Sequence, residues 1–164
     1  MQYTCSYSSP LGEMLIASDG SAVTGLWFIR QKYFGSTLEV EYAEKALPVF
    51  GQTVRWLDDY FQGNVPMEMP PVSFNSSSFR IRVWKLLMEI PYGHTVTYGE
   101  IARTLEKQTG RRICAQAVGG AVGHNPVSII VPCHRVIGSN GLTGYAGGLD
   151  KKLALLRLEG VNVH

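Results

Sequence analysis

The chain has 164 residues, of which 45% are hydrophobic and 17% charged; this excludes a disordered or fibrous protein and predicts one core or two small adjoining ones. Its net charge of +2 conceals a division, since residues 1–78 carry four Lys/Arg against eight Asp/Glu, a net of −4, and residues 79–164 carry eleven against five, a net of +6. A basic half suits a polyanion, nucleic acid being the commonest, although a solvated basic surface explains the charge equally well.

Residues 1–30 alternate apolar with polar and contain Pro10, Gly12 and Asp19. They hold neither a signal-peptide core nor a membrane-spanning run, so a cytoplasmic protein without a membrane partner is expected. Alternation in Gln2–Tyr7, Glu13–Ser18 and Val23–Ile29, with turn residues at Ser9-Pro10 and Asp19-Gly20, predicts a small antiparallel sheet. Leu47, Phe50, Val54, Leu57 and Phe61 recur at spacings of three and four, which predicts one apolar helix face closed by Gly63. The Pro- and Ser-rich stretch 70–78 coincides with the change of charge sign and marks the domain boundary.

Beyond it, Phe79, Val83, Leu86, Leu87 and Ile90 predict a helix ending before Pro91-Tyr92-Gly93. Thr97 followed by Glu100 is a capping box, with Tyr98, Ile101, Ala102 and Leu105 as the buried face behind it. Residues 113–122 form a helix of small side chains, although Gly119 and Gly120 each cost about 1 kcal/mol relative to Ala. Two helices joined by Gln108–Arg112 outline a helix-turn-helix, whose second helix approaches DNA. Small residues there suit a groove, and tight helix packing would use them equally. Val127–Val131 is an apolar, β-branched run that predicts a buried strand leading into Pro132-Cys133-His134-Arg135. A Gly-rich loop over 138–148 follows, then a helix from Asp150, as N-cap, to Glu159, stopped by Gly160.

Cys5, Cys114 and Cys133 form no close pair, and an odd number argues against a disulfide framework. Neither they nor His94, His124, His134 and His164 show metal-ligand spacing, so no metal and no cofactor are expected. A cysteine beside a histidine is a candidate nucleophile, because an imidazole can take the thiol proton and the thiolate is the reactive form. In a regular strand the two side chains would point to opposite faces, so cooperation requires a break, for which Pro132 is suited.

The wider segment HNPVSIIVPCHRVI, residues 124–137, closely resembles the active-site signature of the O6-alkylguanine-DNA alkyltransferases. Further matches are FRIRVWKLLMEIPYG at 79–93, TYGEIA at 97–102, AVGGAVGHNP at 117–126, TGYAGG at 143–148 and LLRLEG at 155–160. SPLGEMLIASDG at 9–20 is similar, more loosely, to that family's opening strands. The resemblance implies that Cys133 attacks the alkyl carbon on guanine O6 after the nucleotide is flipped from the duplex. It implies that His134 takes the cysteine proton through a water, with Glu159 orienting the imidazole. Tyr98 would donate a proton to guanine N3, and Asn125 would brace the turn between recognition helix and active site. Val136, Tyr145 and Ala146 would line the base pocket, while Arg135 would hold the loop by an ion pair. On the DNA-facing side it implies Tyr98, Arg111, Gln116, Ala117, Gly119 and Ser139, with Arg112 beside Arg111 for phosphate contacts. One departure is Gln116, which stands where members commonly carry an arginine that fills the gap left by the flipped base.

These readings predict an α/β protein. Residues 1–75 form a small ribonuclease-H-like sheet plus helix; residues 76–164 form a mostly helical DNA-binding and alkyltransferase domain with a winged-helix-like helix-turn-helix. A monomer acting once per molecule on double-stranded DNA containing O6-alkylguanine is expected, with O4-alkylthymine as an open second substrate. A turning-over thiol hydrolase and a lesion-binding protein without transfer are the rivals.

Overall fold

The computed structural model describes residues 1–142 and 144–163; Thr143, in the TGYAGG match, and His164, among the histidines weighed for a metal, lie outside the described residues. Two units divide the chain: Met1–Asn75 together with Pro126–Ser128, and Ser76–Asn125 together with the chain from Ile129 onward. No helix among the described residues is long and apolar enough to cross a membrane.

The first unit is built on β1 (Gln2–Ser9), β2 (Gly12–Ser18) and β3 (Val23–Phe28), an antiparallel meander with β4 (Tyr42–Glu44) added parallel to β1, in the order β3-β2-β1-β4. Alternation fades in β3 because both of its faces are covered: only Thr24 is half-buried. The Trp27 indole folds back across Gly25, where a Cβ would come within 2.0 Å of the ring, and meets Phe34 edge-on at 5.8 Å. Helix α1 (Pro48–Phe61) packs on the sheet, and Tyr7 donates a 2.7 Å hydrogen bond to Asp58. Its buried face is Val49, Phe50, Thr53, Trp56, Leu57 and Tyr60; Leu47, Val54 and Phe61 of the expected stripe lie at its edge. The stacked Trp56–Tyr60 pair, with centroids 5.6 Å apart, draws the aromatic side of the helix inward.

In the second unit, α2 (Ser78–Leu87) starts at Ser77, whose hydroxyl accepts from the Arg80 N–H, and buries Val83, Trp84 and Leu87. After β5 (Val96–Thr97), α3 (Tyr98–Thr109) begins at the Thr97–Glu100 capping box, with both reciprocal bonds made. That box stabilises a helix start by about 1 kcal/mol. Helix α3 ends at Gly110, and α4 (Ala115–Gly123) completes the helix-turn-helix. Val118, Ala121 and Val122 face inward, and the Trp84 indole N–H donates to Ala121 O at 2.8 Å. Ala115, Gln116, Ala117 and Gly120 are exposed, so half of the small residues of α4 lie on an outer face instead of a packing stripe.

Residues 127–131 are not a strand. Val127 makes one isolated bridge to Leu26, and Ile129 turns the chain with φ +69°. The run is β-branched because it is buried, and burial was mistaken for extension: a left-handed β-branched residue costs roughly 1–3 kcal/mol and is held only by its surroundings. Pro126 O and the Ser128 N–H bond to Leu26, while Ser128 Oγ meets Gln31 Oε1 at 3.2 Å, which ties 126–128 to the first unit. The chain then enters a 3₁₀ turn (Cys133–Arg135) and β6 (Val136–Ile137), which pairs parallel with β5. Helix α5 runs Leu149–Leu158. Gly148, not Asp150, is its N-cap, with no side-chain cap bond, and Asp150 lies inside the first turn, where its charge favours the helix N-terminus.

Candidate active site

In the 3₁₀ turn consecutive side chains diverge by about a third of a turn instead of opposing one another. The break that lets Cys133 and His134 belong to one site therefore begins at Ile129, ahead of Pro132. Cys133 is buried, its N–H bonded to Val131 O at 2.8 Å. Burial pushes its thiol above the ordinary value, against the pull of the neighbouring Asn125 and Tyr145 side chains and of the Lys152 charge. At rest it is a thiol, so reaction requires a base.

The candidate base is the next residue in the chain. His134 is fully buried and its Nε2 lies 2.6 Å from Glu159 Oε2. Burial pushes the imidazole below its ordinary value, with Arg135 and Lys152 acting in the same direction and Glu159 opposing them. Glu159 ends α5 and its side chain is also fully buried. Burial alone would raise its carboxyl, but bonds from His134, Arg135 and the Gly93 N–H hold it down to about 2. The pair at rest is thus a neutral imidazole beside an ionised carboxylate.

Arg135 departs from expectation. Instead of holding the glycine-rich loop, its Nε and Nη2 donate to the two oxygens of Glu159 at 2.8 and 3.1 Å, and Nη1 donates to Ile90 O at 2.7 Å. The carboxylate is the strongest acceptor within reach of a planar fork, which explains the choice.

The remaining candidates fall into three groups. Asn125, also buried, donates from Nδ2 to Val131 O at 2.8 Å, six residues on, closing the turn below Cys133. Val136 is buried, and Tyr145 and Ala146 are half-buried in the loop that precedes α5. Tyr98, the first residue of α3, is placed by the pairing of Thr97 with Ile137 and packs over Gly119, where a Cβ would be 3.9 Å from its ring. Gly119 therefore offsets part of its helix cost by making room for this tyrosine. Arg111, Arg112, Gln116 and Ala117 are exposed on the turn and outer face of the helix-turn-helix, and Ser139 on the turn Gly138–Gly141. These exposed residues are not part of the buried cluster around the thiol.

Two participants carried no label in the sequence reading. Lys152 is fully buried in α5, its Nζ donating to Val136 O at 2.6 Å and to Gly144 O at 3.4 Å, and burial brings its ammonium down to about 8. Its helical phase was the available signal, because Lys152 shares a face with Leu155, Leu156 and Glu159. Gly93, with φ +79°, donates its N–H to Glu159 Oε1 at 3.0 Å, and a side chain there would press on Glu159 O at 3.2 Å. Nothing in composition distinguished it from an ordinary turn glycine. Among the described residues no group of three or more His, Cys, Asp or Glu side chains could hold a metal ion.

Comparison with known proteins shows the family to which the chain belongs. The family model described as the 6-O-methylguanine DNA methyltransferase DNA-binding domain matches residues 78–161, and that of the ribonuclease-like domain matches residues 2–70. The chain belongs to the 6-O-methylguanine DNA methyltransferase family. A methylated-DNA--protein-cysteine methyltransferase of Mycobacterium bovis is 45% identical over 92% of this chain and 88% of its own. The crystal structure of Mycobacterium tuberculosis O6-methylguanine methyltransferase superposes with a TM-score of 0.82 at 41% identity, covering 97% of this chain and 93% of that one. The Mycobacterium tuberculosis OGT structure in complex with DNA gives 0.80 at 41% identity over 96% and 91%.

Proposed function

We propose that this protein repairs alkylated DNA by moving the alkyl group of O6-alkylguanine irreversibly onto Cys133. The observation that carries the reading is the buried Cys133–His134–Glu159 cluster, a resting thiol with a neutral imidazole beside it and a carboxylate behind. The Cys133 proton passes to His134 through a water, the sulfur attacks the alkyl carbon, and the C–O6 bond breaks. The bonding pair leaves with the guanine, which regains its carbonyl as Tyr98 supplies a proton at N3. The product is a thioether, a stable bond with no second thiol near it to resolve it, so each molecule acts once.

The target nucleotide must leave the stack to reach a buried sulfur. Val136, Tyr145 and Ala146 line the pocket that receives it. The exposed, small-residue face of α4 enters the groove, with Ala117 and Gly119 permitting close approach, Gln116 filling the vacated space, and Arg111 and Ser139 contacting the backbone. Residues 1–75 then serve as a separate α/β domain and residues 76–164 as the DNA-binding and transferase domain. We further propose that the protein works as a monomer in the cytoplasm, where its cysteines stay reduced.

The test is mass spectrometry after mixing with duplex DNA containing O6-methylguanine. One methyl mass on Cys133 per chain, with no further turnover, is the expected result. Repeated turnover would indicate a hydrolase, unmodified protein bound to the lesion a recognition protein, and labelling of Cys5 or Cys114 a different nucleophile.

A further inference from the structure

Among the described residues, four hydrogen bonds reach Glu159: from Arg135 Nε and the Gly93 N–H on Oε1, and from His134 Nε2 and Arg135 Nη2 on Oε2. An ionised carboxylate offers about four lone-pair directions and no proton. All are occupied, so the hydrogen shared with His134 belongs to the imidazole. Half of these bonds come from Arg135, which is itself fastened by Nη1 to Ile90 O and lies over the Tyr92 ring at 5.8 Å from the centroid. A guanidinium held at both ends is not a loose counter-ion. It fixes where the carboxylate points and what it can do.

We propose that Arg135 is a positioning residue for the alkyl transfer, which by gripping both oxygens of Glu159 keeps that carboxylate acceptor-only and so holds His134 in the Nε2–H tautomer, with Nδ1 as the base for the Cys133 proton. The inference rests on the alkyl-transfer reading above and adds a residue to it. The charged groups acting on His134 are Glu159 at the end of α5, Lys152 from α5 and Arg135 from its own turn; Tyr145 faces Cys133, and Tyr92 lies under Arg135. Two cations oppose its protonation and one anion favours it. Removing Arg135 leaves a buried carboxylate facing His134 with half its donors gone, and the imidazole becomes the group that must compensate by binding a second proton. A base that already carries its proton cannot take another from Cys133. Lysine restores the charge but not the two-pronged grip, so Arg135→Lys should recover the function only in part.

The experiment combines nitrogen NMR of His134 with transfer rates in the full-length chain. In the unmodified protein at pH 7, Nε2 should be protonated and Nδ1 bare; a doubly protonated ring or the Nδ1–H tautomer would overturn the proposal without any variant. In Arg135→Met the His134 titration should move up by at least one unit. That leaves roughly tenfold less neutral imidazole at pH values below the original titration, and transfer there should fall by a similar factor and less so at neutral pH, with its pH profile displaced upward and affinity for methylated duplex retained. Arg135→Lys should fall between. Slower transfer with an unmoved His134 titration in the variants would sink the proposal and leave Arg135 a structural ion pair. Failure of the unmodified protein to acquire a methyl mass would instead sink the alkyl-transfer reading, which the NMR result does not depend on.

Discussion

The Lys152 ammonium is bonded to the Val136 carbonyl at 2.6 Å, so the last helix holds the strand that leaves the Cys-His-Arg turn. A second, longer bond to Gly144 O brings the loop carrying Tyr145 and Ala146 under the same group. The strand that follows the Cys-His-Arg turn, the loop of Tyr145 and Ala146 and the helix that ends in Glu159 are thus fastened at one buried cation.

That cation makes stability depend on pH. Burial lowers Lys152 from 10.5 to about 8, so the folded state binds the proton less tightly than the unfolded chain. The cost is fully present below about 8 and is relieved as pH rises from there toward 10.5. The stability of the wild-type protein relative to Lys152→Met should therefore rise across that interval. Denaturant melts at several pH values measure the difference, and parallel curves would show that Lys152 keeps an ordinary affinity for its proton.

Glu159→Gln should slow transfer on the order of 10³-fold or more, because an amide N–H facing His134 Nε2 forces the proton to Nδ1, the wrong tautomer for a base. Binding to methylated duplex should stay near wild type, since Glu159 is buried away from the helix-turn-helix surface. The variant should also lose about 3 kcal/mol at neutral pH through the broken Arg135 pair. Glu159 is depressed from 4.5 to about 2, so its contribution is present above 4.5 and disappears as pH falls through that interval. The stability gap should close over the same range. Unchanged transfer would reduce Glu159 to a helix-end residue.

Asn125→Ala removes the bond that closes the turn onto Val131 O and a donor to the thiol. Val131 O keeps the Cys133 N–H as a partner, so the variant loses one hydrogen bond and not a buried carbonyl's whole pairing, a cost of about 1 kcal/mol. Loss of the donor should raise the Cys133 thiol further, which a shift of the pH profile for its reaction with free O6-benzylguanine would register. A destabilised variant with an unaltered profile would mean that Asn125 braces the turn without touching the chemistry.

Much of this site was legible because its motifs are local. Pro132 to Arg135 and the Thr97–Glu100 box are read within a few residues, and the helix-turn-helix follows from two short apolar periods. What escaped depends on tertiary contact. Burial of Val127–Val131 looked like a strand because β-branching reports exclusion from water, while the left-handed Ile129 that turns the segment has no sequence mark. The expected α1 face differs from the observed one because it takes Leu47, Val54 and Phe61, whereas Trp56 and Tyr60 turn inward. β4 is three exposed residues with no alternation to detect. The resemblance implies that Arg135 holds the loop by an ion pair, but which anion it selects is decided by α5 delivering Glu159 from 24 residues away.

Gln116 is where a physical argument has to replace resemblance. It is exposed in the first turn of α4, as are Ala115, Ala117 and Gly120, so its side chain is open to solvent. If its side chain occupies the space of the flipped nucleotide, truncation removes a contact made only in the extruded complex. Gln116→Ala should then slow repair of duplex DNA and leave transfer from a free O6-alkylguanine base, which needs no extrusion, nearly unchanged. Gln116→Arg should restore or raise the duplex rate, because a guanidinium can both stack and pair where an amide only hydrogen-bonds. The quantity to compare is the ratio of duplex to free-base rates for the three side chains. Equal ratios would show that Gln116 is not the inserted residue, and the exposed Arg111 and Arg112 on the preceding turn would be the side chains to replace next.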